Sequence, residues 1–162
     1  MTNFSARAAR AAGLLLLVLA MGMSGCFLRT RGPGLLIVGV SYSELKTSYA
    51  VAQFEALNAE LRKQEAKVFG AIADGDANKQ LEQVRNFVTR RARGIIVAPH
   101  DAATAAQIER IAGDARIPVV FVKEGGSAPL DPAAEAALQD ESVALVRALI
   151  ERITGKKPVT TP

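Results

Sequence analysis

Gly94-Ile-Ile-Val-Ala-Pro99 and Ile117-Pro-Val-Val-Phe-Val122 are the two runs whose reading decides the fold of this chain. The first is short, apolar and ended by a proline; the second is β-branched and free of charge. Both read as strands buried on two faces. Between them Asp101 can cap a helix in which Ala105, Ile108 and Ala112 recur at helical spacing, with Gly113 as its stop. Strand, helix and strand make a βαβ crossover. Such a crossover is right-handed in nearly all proteins, and its ligand edge lies beyond the carboxyl ends of the strands. In this chain that edge comprises Ala98-Pro-His-Asp101 and Lys123-Glu-Gly-Gly126.

The same alternation extends upstream. Leu35-Leu-Ile-Val-Gly-Val40 reads as the first buried strand and Ser41 to Ser48 as the loop at its carboxyl end. Thr47 or Ser48 can cap a helix with Ala50, Phe54, Leu57 and Leu61 on one stripe. Lys67-Val-Phe-Gly-Ala-Ile72 is the second strand, Ala73 to Asn78 its loop, and a helix carrying Leu81, Val84 and Val88 leads to Gly94. The order βαβαβαβ predicts an α/β fold: one three-layer lobe of about four parallel strands with helices on both faces, of flavodoxin-like type.

Downstream of Gly126 the pattern changes. Residues 127–155 are expected to form a linker and a C-terminal helix, with Asp131 as cap, Pro132 at its first position, and Gly155 with Pro158 ending it. Val143, Val146, Leu149, Ile150 and Ile153 give that helix an apolar stripe that must be buried, most cheaply on the chain's own sheet. The lobe proper spans 35–126, and 156–162 is expected to be a disordered tail.

Composition excludes several function classes. The 162 residues carry 20 Lys and Arg against 16 Asp and Glu, a formal charge of +4. Arg7 and Arg10 fall in a removable leader, so the mature balance is closer still. It gives no argument for nucleic acid, and Arg90-Arg91-Ala-Arg93 reads as the solvated end of a helix. His100 is the sole histidine. A His-rich metal site is thereby excluded, as is any Ser-His-Asp arrangement that does not use His100. Asp74-Gly-Asp-Ala-Asn78 begins like a calcium loop, but Lys79 and Arg85 stand where that loop requires Gly and Glu. No G-x-S-x-G or G-x-x-x-x-G-K occurs, and Gly32-Pro-Gly34 precedes the first strand, where a dinucleotide fingerprint would follow it. Neither catalysis nor a cofactor is expected.

The amino terminus reads as a secretory signal. Arg7 and Arg10 precede Leu14-Leu-Leu-Leu-Val-Leu-Ala20, an apolar core too short to span a bilayer comfortably. Its end, Met23-Ser-Gly-Cys26, resembles the lipobox of bacterial lipoproteins, with Met23 where Leu is usual. The resemblance implies removal of residues 1–25, lipidation of Cys26 and a tether over 26–34. Cys26 is the only cysteine, so no internal disulfide can form, and lipidation would remove a free thiol from an oxidising compartment. More than one acyl chain makes a stable membrane anchor.

Taken in chain order, Ser43-Glu-Leu-Lys-Thr-Ser-Tyr49, Gln80-Leu-Glu-Gln83, Arg93-Gly-Ile-Ile-Val-Ala-Pro99 and Ile117-Pro-Val-Val-Phe-Val122 resemble the amino-terminal lobe of the type I periplasmic sugar-binding proteins, from about Leu35 to Glu124. Ribose- and galactose-binding proteins are members. The resemblance implies a lipid-anchored solute-binding protein of the cell envelope, facing the periplasm or exterior, related to the substrate-binding component of sugar ABC transporters. The implied ligand-binding positions are Tyr42, Ser43, Thr47, Tyr49, His100, Asp101, Lys123 and Glu124, with Tyr49 keeping the family's aromatic. The chain departs from the family at Ala98, where Asn is usual, at Thr47, and at Lys123-Glu124, where the charge order is reversed. Lys123 favours a small anion over a neutral sugar. Asp140-Glu-Ser-Val143 is similar to the junction with the family's second lobe, and no further strand follows it in the sequence. Three readings therefore stand: a solute-binding lobe that gains a second wall from a homodimer or another chain, with an ABC permease as a candidate partner; a single-lobe adaptor or sensor for a protein partner; or a truncated relic without ligand. An enzyme on a flavodoxin-like fold is a fourth and weaker one.

Overall fold

The computed structural model describes residues 35–123 and 130–155; the expected leader, Cys26, the tether, Glu124 and the tail lie outside the described residues. Strands β1 (Ile37–Tyr42), β2 (Lys67–Ile72), β3 (Gly94–Ala98) and β4 (Val119–Phe121) alternate with helices α1 (Ser48–Lys63), α2 (Ala77–Thr89) and α3 (Ala102–Asp114), and α4 (Pro132–Thr154) follows. The sheet is parallel in the order β2-β1-β3-β4, with Tyr42 beside Ile72 on one side and Ala98 on the other. The chain steps outward from β1 first one way and then the other. Crossovers of one hand then put α1 on one face and α2 and α3 on the other.

Strand periodicity sorts the core into two layers. Val38, Val40, Tyr42, Ile96 and Ala98 meet Leu57 and Leu61 of α1 and Val146 and Leu149 of α4. Ile95 and Val97 point the other way, toward Val84 and Phe87 of α2 and Ile108 and Ala112 of α3. Central β3 is buried at every residue, as an unbroken apolar run requires. Gly94 is glycine because a Cβ there would press on Ile153 and Leu149, so β3 lets α4 lie close.

Each helix begins on a side-chain cap. Thr47 Oγ1 accepts from Ala50 N at 3.0 Å, Asp76 from Asn78 N at 2.8 Å, Asp101 from Thr104 N at 2.6 Å and Asp131 from Ala134 N at 2.7 Å. The turns from α1, α2 and α3 into the next strand share one geometry, a left-handed residue at Glu65, Arg91 and Arg116, with φ of 54°, 60° and 55°. The amide that follows reaches back to close the helix: Ala66 to Leu61 O, Ala92 to Phe87 O, Ile117 to Ala112 O.

Three sequence expectations change in detail. α3 runs through Gly113 to Asp114, because Arg116, not the glycine, takes the left-handed position. β1 starts at Ile37 and continues through Ser41 and Tyr42, since pairing with Ile72 and Ala98 carries the ladder that far, while Leu35 is 60% exposed. On α2 it is Phe87, rather than Val88, that is buried.

Of the stripe expected on the C-terminal helix, Val146 and Leu149 are buried and Val143, Ile150 and Ile153 are half-buried. α4 packs against α1 and reaches β3 and β4, and Arg152 Nη1 donates to Val119 O at 2.9 Å. Its fit is imperfect in one respect: Ser142 Oγ on α4 and Gln53 Nε2 on α1 are buried without a hydrogen-bond partner among the described residues. A buried polar group left unpaired costs about 1–3 kcal/mol. Gly155, left-handed at φ 66°, closes the helix.

Candidate functional site

Where β1 leads to α1 on one face and β3 leads to α3 on the other, the following loops part and leave a crevice at the carboxyl edge of the sheet. In open α/β sheets this switch of direction is where ligands bind. Two polar side chains meet there. Ser43 Oγ lies 3.1 Å from His100 Nδ1. Ser43 is buried and its amide donates to Ala98 O at 3.0 Å; His100 is exposed.

Two glutamines of α2 hold this edge together. Gln80, fully buried, accepts from His100 N at 2.9 Å and donates to Ala98 O at 2.8 Å, so one side chain joins the start of the β3 loop to its strand. Its amide also lies 3.4 Å from Ser41 Oγ, which donates to Gln83 Oε1 at 2.8 Å, and Gln83 Nε2 donates to Ile72 O at 2.9 Å. The ends of β1, β2 and β3 are thus tied through one helix. Gly75, at φ 80°, completes the arrangement: its amide donates to Ser43 O at 2.9 Å, and a Cβ there would collide with the Glu44 carboxylate.

The remaining sequence candidates fall into distinct places. Tyr42 does not line the open edge; it is fully buried in the layer under α1, its hydroxyl donating to Gln53 Oε1 at 3.0 Å, because the ladder extends to it and turns its side chain inward. Thr47 and Asp101 flank the crevice as the caps of α1 and α3. Hydrogen bonds from Thr104, side chain first and then backbone, and the nearby His100 hold the Asp101 carboxyl below its ordinary pKa. Tyr49 is half-buried, and its hydroxyl donates to Glu141 of α4 at 3.1 Å. Partial burial first, then that hydrogen bond and the charge of Glu141, push the phenol up. Lys123 is exposed just beyond Val122, whose amide donates to Val97 O at 2.8 Å. Glu124 lies outside the described residues.

Ala98, where sequence reading found no hydrogen-bonding side chain, contributes its carbonyl instead, shared by Ser43 N and Gln80 Nε2; its methyl is in the core. Gln80, Gln83 and Ser41 were not among the predicted site residues. A signal for Gln80 was nonetheless present. It stands with Val84 and Phe87 at helical spacing, a polar residue inside an apolar stripe.

The chemistry available is hydrogen bonding. Ser43 occupies Nδ1 of His100, and Nε2 has no partner among the described residues, so the ring can turn one donor or acceptor outward. The Asp101 carboxylate serves the α3 cap, and among the described residues no carboxylate orients the imidazole as a hydrolytic triad requires. Among the described residues no group of three or more metal-ligating side chains occurs, and no helix is long and apolar enough to cross a membrane. Beside the pair, Glu44, Leu45, Lys46, Ile72 and Asp74 line an open depression of about 260 Å³. A groove of about 660 Å³ lies elsewhere, along the free edge of β2 between Phe54, Asn58, Arg62 and Val68. The 260 Å³ depression is formed by the loops after β1 and β2, next to the Ser43–His100 edge at the switch of direction but not part of it.

Comparison with known proteins agrees with this fold. The model of the family described as periplasmic binding proteins and sugar binding domain of the LacI family matches residues 36–159. An ABC transporter solute-binding protein from Mycobacterium smegmatis with bound glycerol is 31% identical at a TM-score of 0.52, over 58% of this chain and 34% of that one. One from Bacillus halodurans with bound myo-inositol is 28% identical at 0.53, over 58% and 33%. The Caulobacter myo-inositol-binding protein is 26% identical at 0.51, over 59% and 33%. The chain therefore spans about a third of the length of these solved relatives. Among curated proteins none matches it.

Proposed function

The chain belongs to the family of periplasmic binding proteins and sugar-binding domains of the LacI type, and from that premise we propose that it is a non-enzymatic, lipid-anchored solute-binding protein of the cell envelope. Its ligand is a small polyhydroxylated solute, held at the carboxyl edge of β1 and β3 and passed to an ABC-type permease. The observation that carries this reading is the Ser43–His100 contact at the switch of direction, locked from below by Gln80. A buried, hydrogen-bonded side chain under an exposed polar pair keeps a binding edge in register before ligand arrives. The relatives crystallised with glycerol and myo-inositol support a polyol in preference to a nucleotide or peptide.

One lobe supplies one wall. A solute is well held when most of its surface is buried, so a facing wall raises the affinity, and the lobe by itself binds weakly. A second ligand class, a small carboxylate or phosphate, is favoured by one observation: Lys123 is exposed and makes no ion pair among the described residues. Thermal shift with myo-inositol, glycerol and arabinose against citrate and phosphate tests both, because a ligand of the native state alone raises the melting temperature. Stabilisation by a polyol that disappears in His100→Ala supports the first class, and stabilisation by anions that disappears in Lys123→Ala supports the second. If neither series shifts the melting temperature at millimolar concentration, the solute-binding reading is wrong.

A further inference from the structure

Parallel strands all begin at one edge of the sheet, so every turn from a helix into a strand lies at the edge opposite the crevice. Here those turns are strongly basic. The turn into β2 carries Arg62, Lys63 and Lys67, the turn into β3 carries Arg90, Arg91 and Arg93, and the turn into β4 carries Arg116, against Glu60, Glu65 and Asp114. α4 ends at this edge too, with Arg152 beside Val119, and the sequence continues into Lys156 and Lys157. The βα loops at the opposite edge lean the other way, with Glu44, Asp74, Asp76 and Asp101 against Lys46 and Lys123. The lobe is polarised from edge to edge.

Helix dipoles explain only part of this. Arg62 and Lys63 sit in the last turn of α1, where cations are favoured, but α2 and α3 have no basic residue in their last turns. Lys67 and Arg93 belong to strand starts. Lys67 and Arg90 rest on the Phe69 ring, and of the cations in these turns only Lys63 is ion-paired among the described residues. The rest of the charge is available to something outside the lobe.

We propose that this edge is a docking surface for anionic lipid headgroups. The reading of Cys26 as an anchor points to the occupant, and the inference rests on that reading: β1 begins at this edge, so the chain leading back through Arg31 and Arg29 to Cys26 leaves from it. Cys26 and Leu35 are separated by a stretch that reaches at most about 30 Å when extended, so an anchored lobe holds its basic edge within easy reach of the bilayer. Each cation near an anionic surface adds about 1 kcal/mol of attraction at moderate salt, which corresponds to roughly a fivefold gain in occupancy. Docked this way, the lobe turns its crevice away from the lipid.

The test uses the full-length lipoprotein extracted from bacterial membranes and reconstituted into vesicles of phosphatidylcholine, with or without phosphatidylglycerol. Flotation reports the anchor; phenylglyoxal labelling of arginines, read by mass spectrometry, reports the docking. With phosphatidylglycerol, labelling of Arg91, Arg93 and Arg116 should slow about tenfold, Arg147 in the middle of α4 should be unaffected, and molar salt or Arg91→Glu with Arg93→Glu should abolish the protection. Flotation with both vesicles but equal labelling in both would overturn the docking and leave the anchor standing. Flotation only with anionic vesicles, lost in salt, would support the docking and remove the anchor. No flotation with either would reject both.

Discussion

Ser43 Oγ and His100 Nδ1 are 3.1 Å apart although 57 residues separate them in sequence. They meet because β1 and β3 are parallel neighbours in register through Tyr42 and Ala98, so the first residues beyond each strand emerge side by side. Nothing local selects this contact. It is a property of the strand order, and the binding edge therefore depends on whatever fixes that order and register.

Gln80 is the residue most responsible. Replacing Gln80 by Leu leaves the His100 amide without its acceptor and removes one donor from Ala98 O, a loss we expect to cost about 1–3 kcal/mol. Urea unfolding should show a lower midpoint with an unchanged slope. An unchanged midpoint would mean that the loop after β3 holds its position without α2.

The seam between α1 and α4 supports two substitutions of opposite sign. Leu149→Ala empties a fully buried position and should cost about 2–5 kcal/mol. Ser142→Ala removes a buried hydroxyl that has no partner among the described residues and raises helix propensity, so it should stabilise by about 1 kcal/mol. If Ser142→Ala destabilises by as much as Leu149→Ala, the hydroxyl is engaged and the packing of α4 differs from that described.

The α3 cap predicts a pH dependence. The folded Asp101 pKa lies below its ordinary value, so its contribution is complete above the ordinary carboxylate range and is lost as pH falls through the depressed value. Asp101→Ala should lower stability at neutral pH by removing the cap, and the gap from wild type should narrow on acidification. Asp101→Asn, which caps without titrating, should retain most of the stability at neutral pH and show a weaker acid dependence. A wild-type to Ala difference that stays constant down to strongly acid pH would contradict the assignment.

Much of this was legible in the sequence, for identifiable reasons. The apolar runs from Gly94 and Ile117 read as strands, though only the first is buried at every residue and the second, at the sheet edge, is partly buried; Asp101 and Asp131 announce their helices, and one helix between each pair of strands leaves few topologies. Strand ends were less legible, because pairing, not composition, carried β1 on to Tyr42 and turned that ring into the core. Gly113 misled for a related reason: the helix end is set by where the next strand must start, and Arg116 accepts the left-handed geometry. Of the site, single positions were visible but their connections were not. Thr47 and Asp101 emerge as caps, and the Gln80 bridge needs strands and helix in place before it has any meaning.

The anchor has its own test. Cys26→Ala should leave the protein uncleaved or released, and should abolish incorporation of labelled palmitate that the wild type shows. Wild-type protein recovered free of membranes with an unmodified thiol would refute lipidation.

The central claim is that the carboxyl edge of β1 and β3 binds a small polyhydroxylated solute, and two-dimensional NMR of the full chain in detergent, titrated with myo-inositol, tests it most directly because it registers weak binding by position. The account predicts concentration-dependent shifts at Ser43, Thr47, His100 and Asp101 that saturate together and vanish in His100→Ala. Shifts confined to Phe54, Asn58 and Val68 along the free edge of β2, or no shifts with any polyol, would contradict it.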